Sequence, residues 1–410
     1  MTKEINNEVY NVPGFISEVM KHTESVAFNP NLPLSFAGAL AALAHLSGHG
    51  YIDQRGGSTN LMVFALAPSG VGKDKAREVN RDLAALSGKA VTVRENFASG
   101  EGIEDTLLQM PVTMYQVDEI HTLMAKLARG DQSALKMSQM LLELYSQSTS
   151  NHVMRDKARG MFGGLGDVIY SPHLTVYGTG TMRFYEAINR SLLEDGMMGR
   201  SLIIEGDKLG DDNFSCHTGK VPPAVEALLK VLNRKETEAT KEYGYEPMVV
   251  PETEEATEAL KRKILALTDL ARKCEAEGEA TPMALWARAK DKVCKLALLF
   301  AISRNPESPC IVADDVERAY LIVEHATEVL LARAQEYVHD NAFHADCQKV
   351  LRLIERKLQA NSGGVPHRLV VQGAHMKPSA LNQVLHMLVD TDQICVCEGP
   401  QGGNIYKLAA

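Results

Sequence analysis

Four short apolar runs, residues 61–66, 112–117, 174–177 and 202–204, lie between stretches of helical period, and a weaker fifth run covers 91–93. Runs of this length without alternation predict strands buried on both faces, as in a mostly parallel sheet covered by helices. Ahead of them, residues 11–60 read as a helical lead-in. Within it, 15–20 is amphipathic, and 33–46 is alanine-rich with apolar residues on most faces, ending at Gly48-His49-Gly50. Behind them, 225–232, 254–274, 283–302 and 314–337 all carry a helical period, broken by a Pro-containing turn at 305–309.

From residue 342 onward the pattern is that of a separate small domain. A helix over 343–358 is followed by a shorter one near 368–373. A third starts at Lys377-Pro378-Ser379 and runs to about 389. Two strands, 394–397 and 405–408, are joined by a glycine-rich turn at 399–403. Three helices and a β-wing are the layout of a winged helix. The expected fold is therefore α/β: an N-terminal helical region (1–60), a core with a mostly parallel sheet (61–212), a helical domain (213–341) and a C-terminal winged-helix domain (342–410).

Composition changes this picture little. The chain of 410 residues is 45% apolar and 23% charged, ordinary for a globular protein. Its longest apolar stretch, 32–46, contains Pro33, Ser35 and His45 and falls short of a membrane span. No apolar signal core stands at residues 1–10, so a cytoplasmic location and no membrane partner are expected. Seven scattered cysteines imply reduced thiols. Cys395 and Cys397 form the one close pair, with no second ligand pair for zinc. The net charge of −9 argues against indiscriminate coating of nucleic acid, yet residues 342–410 hold seven Lys and Arg against five Asp and Glu. That slightly basic tail hints at contact with a polyanion.

The chemistry begins where the first strand runs into Ala67-Pro68-Ser69-Gly70-Val71-Gly72-Lys73-Asp74 and a helix. Glycines let backbone N–H groups converge on a phosphate, the helix N-terminus adds its dipole, and Lys73 neutralises the outer oxygens. Ala67 replaces the usual first glycine, and Asp74 replaces the usual Ser or Thr. A carboxylate at Asp74 could ligate Mg2+ directly. The 112–117 strand ends in Asp118-Glu119, which fits a Walker B pair in which Asp118 holds the metal shell and Glu119 polarises water. His121 completes an Asp-Glu-Ile-His string, read as incidental and structural. The next strand ends in Gly178-Thr179-Gly180-Thr181, where Thr179, and after it Thr181, is placed to sense a γ-phosphate. Arg200, on a glycine-containing loop before the last strand, could reach the nucleotide of a neighbouring subunit. Basic residues Arg155, Lys157 and Arg159, followed by glycines and Phe162, could grip a phosphate backbone, as could Lys126, Arg129 and Lys136. On the third tail helix Lys377, Asn382, Gln383 and His386 could face DNA or a protein partner.

The order of these features, from Pro13-Gly14 through the P-loop, Ser99-Gly100-Glu101-Gly102, Asp118-Glu119, Thr179 and Gly199-Arg200 to 288–301, resembles a family. It is that of the helicase-like P-loop ATPases encoded by phages, prophages and plasmids beside primase modules. The resemblance covers roughly residues 12–332. It implies a RecA/AAA+-type core, ATP with Mg2+, and a homo-oligomer, a hexameric ring translocating on single-stranded DNA. Lys73, Asp118, Glu119 and Arg200 match the family's catalytic places, whereas Asp74 departs from the Ser of many relatives. No primase segment precedes the core, so a primase or other replication proteins would be separate partners. The leading expectation is a replicative DNA helicase of a phage or mobile element. An origin-binding initiator or helicase-loading ATPase is the alternative, and a regulatory ATPase acting on protein partners is the second.

Overall fold

A computed structural model describes residues 5–96, 99–154, 167–206, 209–216, 219–241, 244–337, 342–358 (342–345 as backbone only), 363–398 and 403–409. The chain divides into two compact units, Met1–Ala332 and Arg333–Ala410.

The first unit is built on a five-stranded sheet of β1 (Met62–Leu66), β2 (Val93–Arg94), β3 (Val112–Val117), β4 (His173–Gly180) and β5 (Ser201–Glu205). The spatial order is β2-β3-β4-β1-β5, and every neighbouring pair is parallel. All residues of β1, β3 and β4 are buried, which is why these strands read as mainly apolar runs without alternation. Two strands differ from their sequence pattern. Residues 90–92 form a 3-10 turn, so only Val93 and Arg94 join the sheet. By contrast β4 extends to Gly180, because its backbone completes ladders with β1 and β3 regardless of side-chain polarity.

Helices α1 (Phe15–Val26), α2 (Leu32–Ser47), α3 (Lys73–Leu86), α4 (Gly100–Gln109), α5 (Ile120–Leu127) and α6 (Gln132–Ser146) surround the sheet. They are followed by α7 (Pro223–Ala239), α8 (Glu254–Ala276), α9 (Ala280–Arg304) and α10 (Ala313–Tyr337). Helix α2 is buried on every side from Pro33 to Ser47 and packs on β1, β4, α1, α3 and α7. Its alanines let those neighbours come close, and an all-round apolar helix is stable only in such a place. Helices α8 and α9 pack along one another, and their apolar faces join α1, α2, α7, α10 and the sheet in one continuous core. No described helix is long and apolar enough to cross a membrane.

The second unit contains α11 (Ala342–Leu358), β6 (Val365–Pro366), α12 (His367–Ala374), α13 (Pro378–Asp390), β7 (Ile394–Glu398) and β8 (Asn404–Leu408). Its sheet is antiparallel in the order β6-β8-β7. Val350, Ile354, Val370, Val384, Leu388 and Tyr406 form its core. Strand β6 has no sequence signal, since two residues ending in proline are too short for any period. Cys395 and Cys397 are both exposed, and no described group of three or more His, Cys, Asp or Glu side chains is placed to hold a metal.

The N-terminal end of the main sheet carries buried histidines. His45 bonds Thr92 (2.9 Å), His173 bonds Thr59 (2.9 Å), and His49 bonds the Ser171 carbonyl (2.6 Å) while stacking on Tyr245. Burial pushes His45 down to about 3 and His49 to about 4, and holds His173 well below the ordinary range. The unfolded chain therefore binds more protons than the folded one below about pH 6.5. Stability should fall as pH drops from 7 to 5, by about 2 kcal/mol for each of these histidines. Thermal melts of the full chain across that window check this, and a flat profile would contradict it.

Candidate active site

The chain leaves β1 at Leu66 and turns through an exposed Pro68-Ser69-Gly70 tip into α3, anchored by buried Val71. Gly70 (φ 88°) and Gly72 (φ 82°) both adopt left-handed backbone. At Gly72 a Cβ would stand 2.3 Å from the Asn29 carbonyl oxygen, so the loop closes on its neighbour only with glycine there. Gly72 is the N-cap of α3 and supplies no side-chain cap, which leaves the helix N-terminus available to an anion. Lys73 donates to the Ala67 carbonyl at 3.3 Å, folded back across the loop. Burial lowers the Lys73 ammonium below its usual range, against the opposing pull of Glu119, Asp74 and Asp118.

Sheet order brings the other groups to this loop. Strand β4 lies between β1 and β3, with Thr179 paired to Ala65 and Gly178 to Val117. One step beyond Val117, Asp118 therefore comes level with Thr179, whose hydroxyl donates to the Asp118 carboxylate at 3.1 Å. Asp118 also accepts from the backbone N–H of Glu119 at 2.9 Å. Glu119 itself sits in left-handed backbone (φ 49°), an uncommon state for a residue with a side chain. That turn presents its carboxylate half-exposed, beside His121. His121 Nδ1 is 3.0 Å from the Glu119 carboxylate but makes no hydrogen bond among the described residues. Thr181 follows β4, and its buried hydroxyl has no hydrogen-bond partner.

Three features of this end of the sheet are missed by sequence reasoning. Arg77, one turn into α3, is buried and lies 3.1 Å from Asp118, 3.8 Å from Asp74 and 3.6 Å from Glu95. Its position, four residues after Lys73 on the same helix face, is the one signal for it. The others are Phe28 and Phe214, an exposed edge-to-face pair with centroids 5.7 Å apart. They flank the loop because Asn29 abuts Gly72 and the Asn213 N–H donates to the Phe28 carbonyl at 2.7 Å. Residues so distant in sequence give no local signal.

Asp74 is exposed, and its carboxylate shares the Arg77 guanidinium with Asp118. Mg2+ is commonly held by one or two carboxylates together with phosphate oxygens and water, a set these two acids fit. Arg200 lies elsewhere. It immediately precedes β5, whose Ser201 pairs with Met62, so it sits at the opposite end of the sheet, about 17 Å along the strands from the loop. There it donates to the Gly196 carbonyl (3.2 Å) and the Ser146 hydroxyl (3.3 Å). Arg155, Lys157 and Arg159 lie outside the described residues. Lys126, Arg129 and Lys136 lie on or next to α5 and α6. In the second unit Lys377, Asn382, Gln383 and His386 are all exposed.

No family model and no curated protein matches this chain. Among solved structures it is similar to the crystal structure of the FIGL-1 AAA domain, with 14% identity over 82% of this chain and 92% of that one. The TM-score is 0.24, too low to carry an argument.

Gly70 and Gly72 separate strain from crowding, since nothing stands within 4 Å of a Cβ at Gly70. Gly70→Ala should cost about 1 kcal/mol of stability, the left-handed penalty alone. Gly72→Ala should cost more, because the Asn29 backbone must also move. Urea unfolding of the two variants compares them directly, and equal losses would contradict this packing.

Proposed function

We propose that this chain is a Mg2+-dependent ATPase of the P-loop type that works as a replicative DNA helicase of a phage or other mobile element. The observation that carries the ATPase reading is the convergence, past the ends of three adjacent parallel strands, of Lys73, Asp118, Glu119 and Thr179 at an uncapped helix N-terminus. Backbone N–H groups of residues 70–73 would hold the phosphate chain, and Lys73 would swing from the Ala67 carbonyl to its outer oxygens. Asp118, with Asp74, would hold Mg2+, which when bound supplies charge neutralisation between the phosphates. Arg77 and Thr179 keep Asp118 aimed at that position. Glu119 would orient and deprotonate the attacking water, and Thr179 would report whether the γ-phosphate is present. Phe28 and Phe214 offer an apolar platform for the base.

The distance of Arg200 from its own loop favours a site completed between subunits. A head-to-tail contact of this kind closes into a ring when the rotation allows, consistent with the hexamer that the family resemblance implies. Single-stranded DNA is the proposed track, with the segment holding Arg155, Lys157 and Arg159 as its grip. The second unit, three helices with a three-stranded antiparallel sheet, favours one other reading: an initiator or helicase loader whose tail, as a winged helix, contacts origin DNA through Lys377.

Glu119→Gln should bind ATP with near-normal affinity and lose turnover by at least about a hundredfold. Nucleotide binding and phosphate release measured on the same preparation check this, and normal release would refute the role of Glu119. Arg200→Ala should be inactive alone and regain part of its activity when mixed with Lys73→Ala chains; no rescue would argue against a shared site. Unwinding of a forked duplex, with Lys73→Ala as control, separates a helicase from a loader. ATP hydrolysis indifferent to any DNA would sink both.

A further inference from the structure

At the end of the sheet opposite the P-loop lies a cavity of about 330 Å³. Five basic side chains line it (Arg55, Arg200, Arg288, Lys292 and Lys295), against two carboxylates, Asp53 and Asp291. Arg55 is already neutralised by a two-pronged pair with Glu252, and Arg288 lies 3.9 Å from Asp291. The two lysines are not so paired. Lys292 is buried and donates only to the Ser201 carbonyl at 3.2 Å. Lys295 donates to the Ser58 carbonyl (3.0 Å) and to Asn60, with the Tyr145 ring 5.1 Å from its ammonium. Neither has a carboxylate within ion-pair distance among the described residues. Arg288, Lys292 and Lys295 recur at helical spacing on α9, so one helix aims three cations at one space. Hydroxyls of Ser146, Ser148 and Thr149 complete the wall as hydrogen-bond donors.

An enclosed ammonium without a counter-charge is costly, and two beside the Arg200 guanidinium are costlier. Burial lowers both lysines to about 8, with only partial opposition from Asp291 and, at Lys295, from Asp53 and Cys294. Both are therefore still mainly charged at pH 7. Set against Asp53, Asp291 and Glu252, the five cations leave a surplus of two, and a single carboxylate ligand would balance only half of it. A phosphate chain carries several charges and only acceptors, and it matches a wall of ammonium, guanidinium and hydroxyl donors.

We infer that this cavity is a second phosphate-binding site, separate from the P-loop, that receives the phosphate chain of a nucleotide or a free oligophosphate. The chain has two possible sources with the same chemistry. It can arrive free in solution, or it can be the outer phosphates of a nucleotide held by a second copy of this protein. The second source rests on the ATPase reading above, while the first does not.

The test uses the full chain carrying Lys73→Ala, which removes the P-loop contribution. Titration with inorganic tripolyphosphate at low salt should give one-to-one binding, weakened at least tenfold by Lys292→Met and by Arg288→Ala, each added separately. The same Lys292→Met change, in ligand-free protein, should raise the Tm at pH 7. The sign follows from the lowered lysine: the folded state gives up its proton near pH 8 and the unfolded state near 10.5, so the gain should shrink as pH rises between them. Arg288, Asp291, Cys294 and Lys295 from the same helix, with Asp53, Arg55, Tyr145 and Arg200 from elsewhere, face this space and remain unchanged in that variant. If the source is a second copy, Lys73→Ala protein alone binds no tripolyphosphate. Sedimentation then shows it joining ATP-loaded wild-type chains, and Lys292→Met abolishes that joining. Either pattern sustains the inference. Absence of both overturns it, and so does unchanged tripolyphosphate affinity in the two variants. A Lys292→Met chain with a lower Tm would also overturn it, because that would make the lysine structural.

Discussion

The rest of the molecule depends on the parallel ladder that seats β4 between β1 and β3. Its register sets Thr179 beside Ala65 on one flank and level with Asp118 on the other. Without that insertion the P-loop and the acidic pair would lack the polar group that now stands between them. Gly178 helps make the fit possible, since a Cβ there would come within 2.7 Å of Ile120 on the helix that follows Glu119. The same close approach fixes where α5 begins and therefore where Glu119 must turn through left-handed backbone.

The electrostatics of the unit follow from this frame. At one end, acids cluster around a lysine and an arginine: Asp118, Asp74 and Glu95 all lie within 4 Å of Arg77. At the other end the balance reverses, with cations outnumbering carboxylates around a cavity. The head-to-tail stacking proposed above would set the cation-rich end of one copy against the acid-rich end of the next. Opposite signs of charge therefore meet beside the P-loop, with Arg77 between the acids.

Elements with strong periods are legible from their residues alone. The strand at 112–117 matches β3 residue for residue, and the helices after residue 250 differ from their sequence patterns by only a few residues at each end. The positions of the P-loop turn, Asp118 and Glu119 are legible too, because each follows a buried strand directly, whereas Thr179 lies within β4 itself. Arg77 is not, since a lone arginine on an amphipathic helix reads as solvent-facing; here it is pulled inward by Asp74 on its own helix and by Asp118 and Glu95 from other segments. Lys292 and Lys295 belong to the same class. Their spacing is visible, but nothing local distinguishes a basic stripe on the surface from one turned toward a cavity.

What the sequence alone determined, then, is the set of local devices: which runs must be strands, where a phosphate loop can form, and which acids end a core strand. These rest on short-range physics, namely hydrophobic period, glycine's backbone freedom and the geometry of a helix start. Tertiary structure decided which of these devices share a space. It placed Phe28 beside Phe214, put Arg77 on Asp118, and set Arg200 about 17 Å from the loop of its own chain. Those outcomes depend on sheet order and helix packing, contacts made between segments tens to hundreds of residues apart, and no local pattern encodes them.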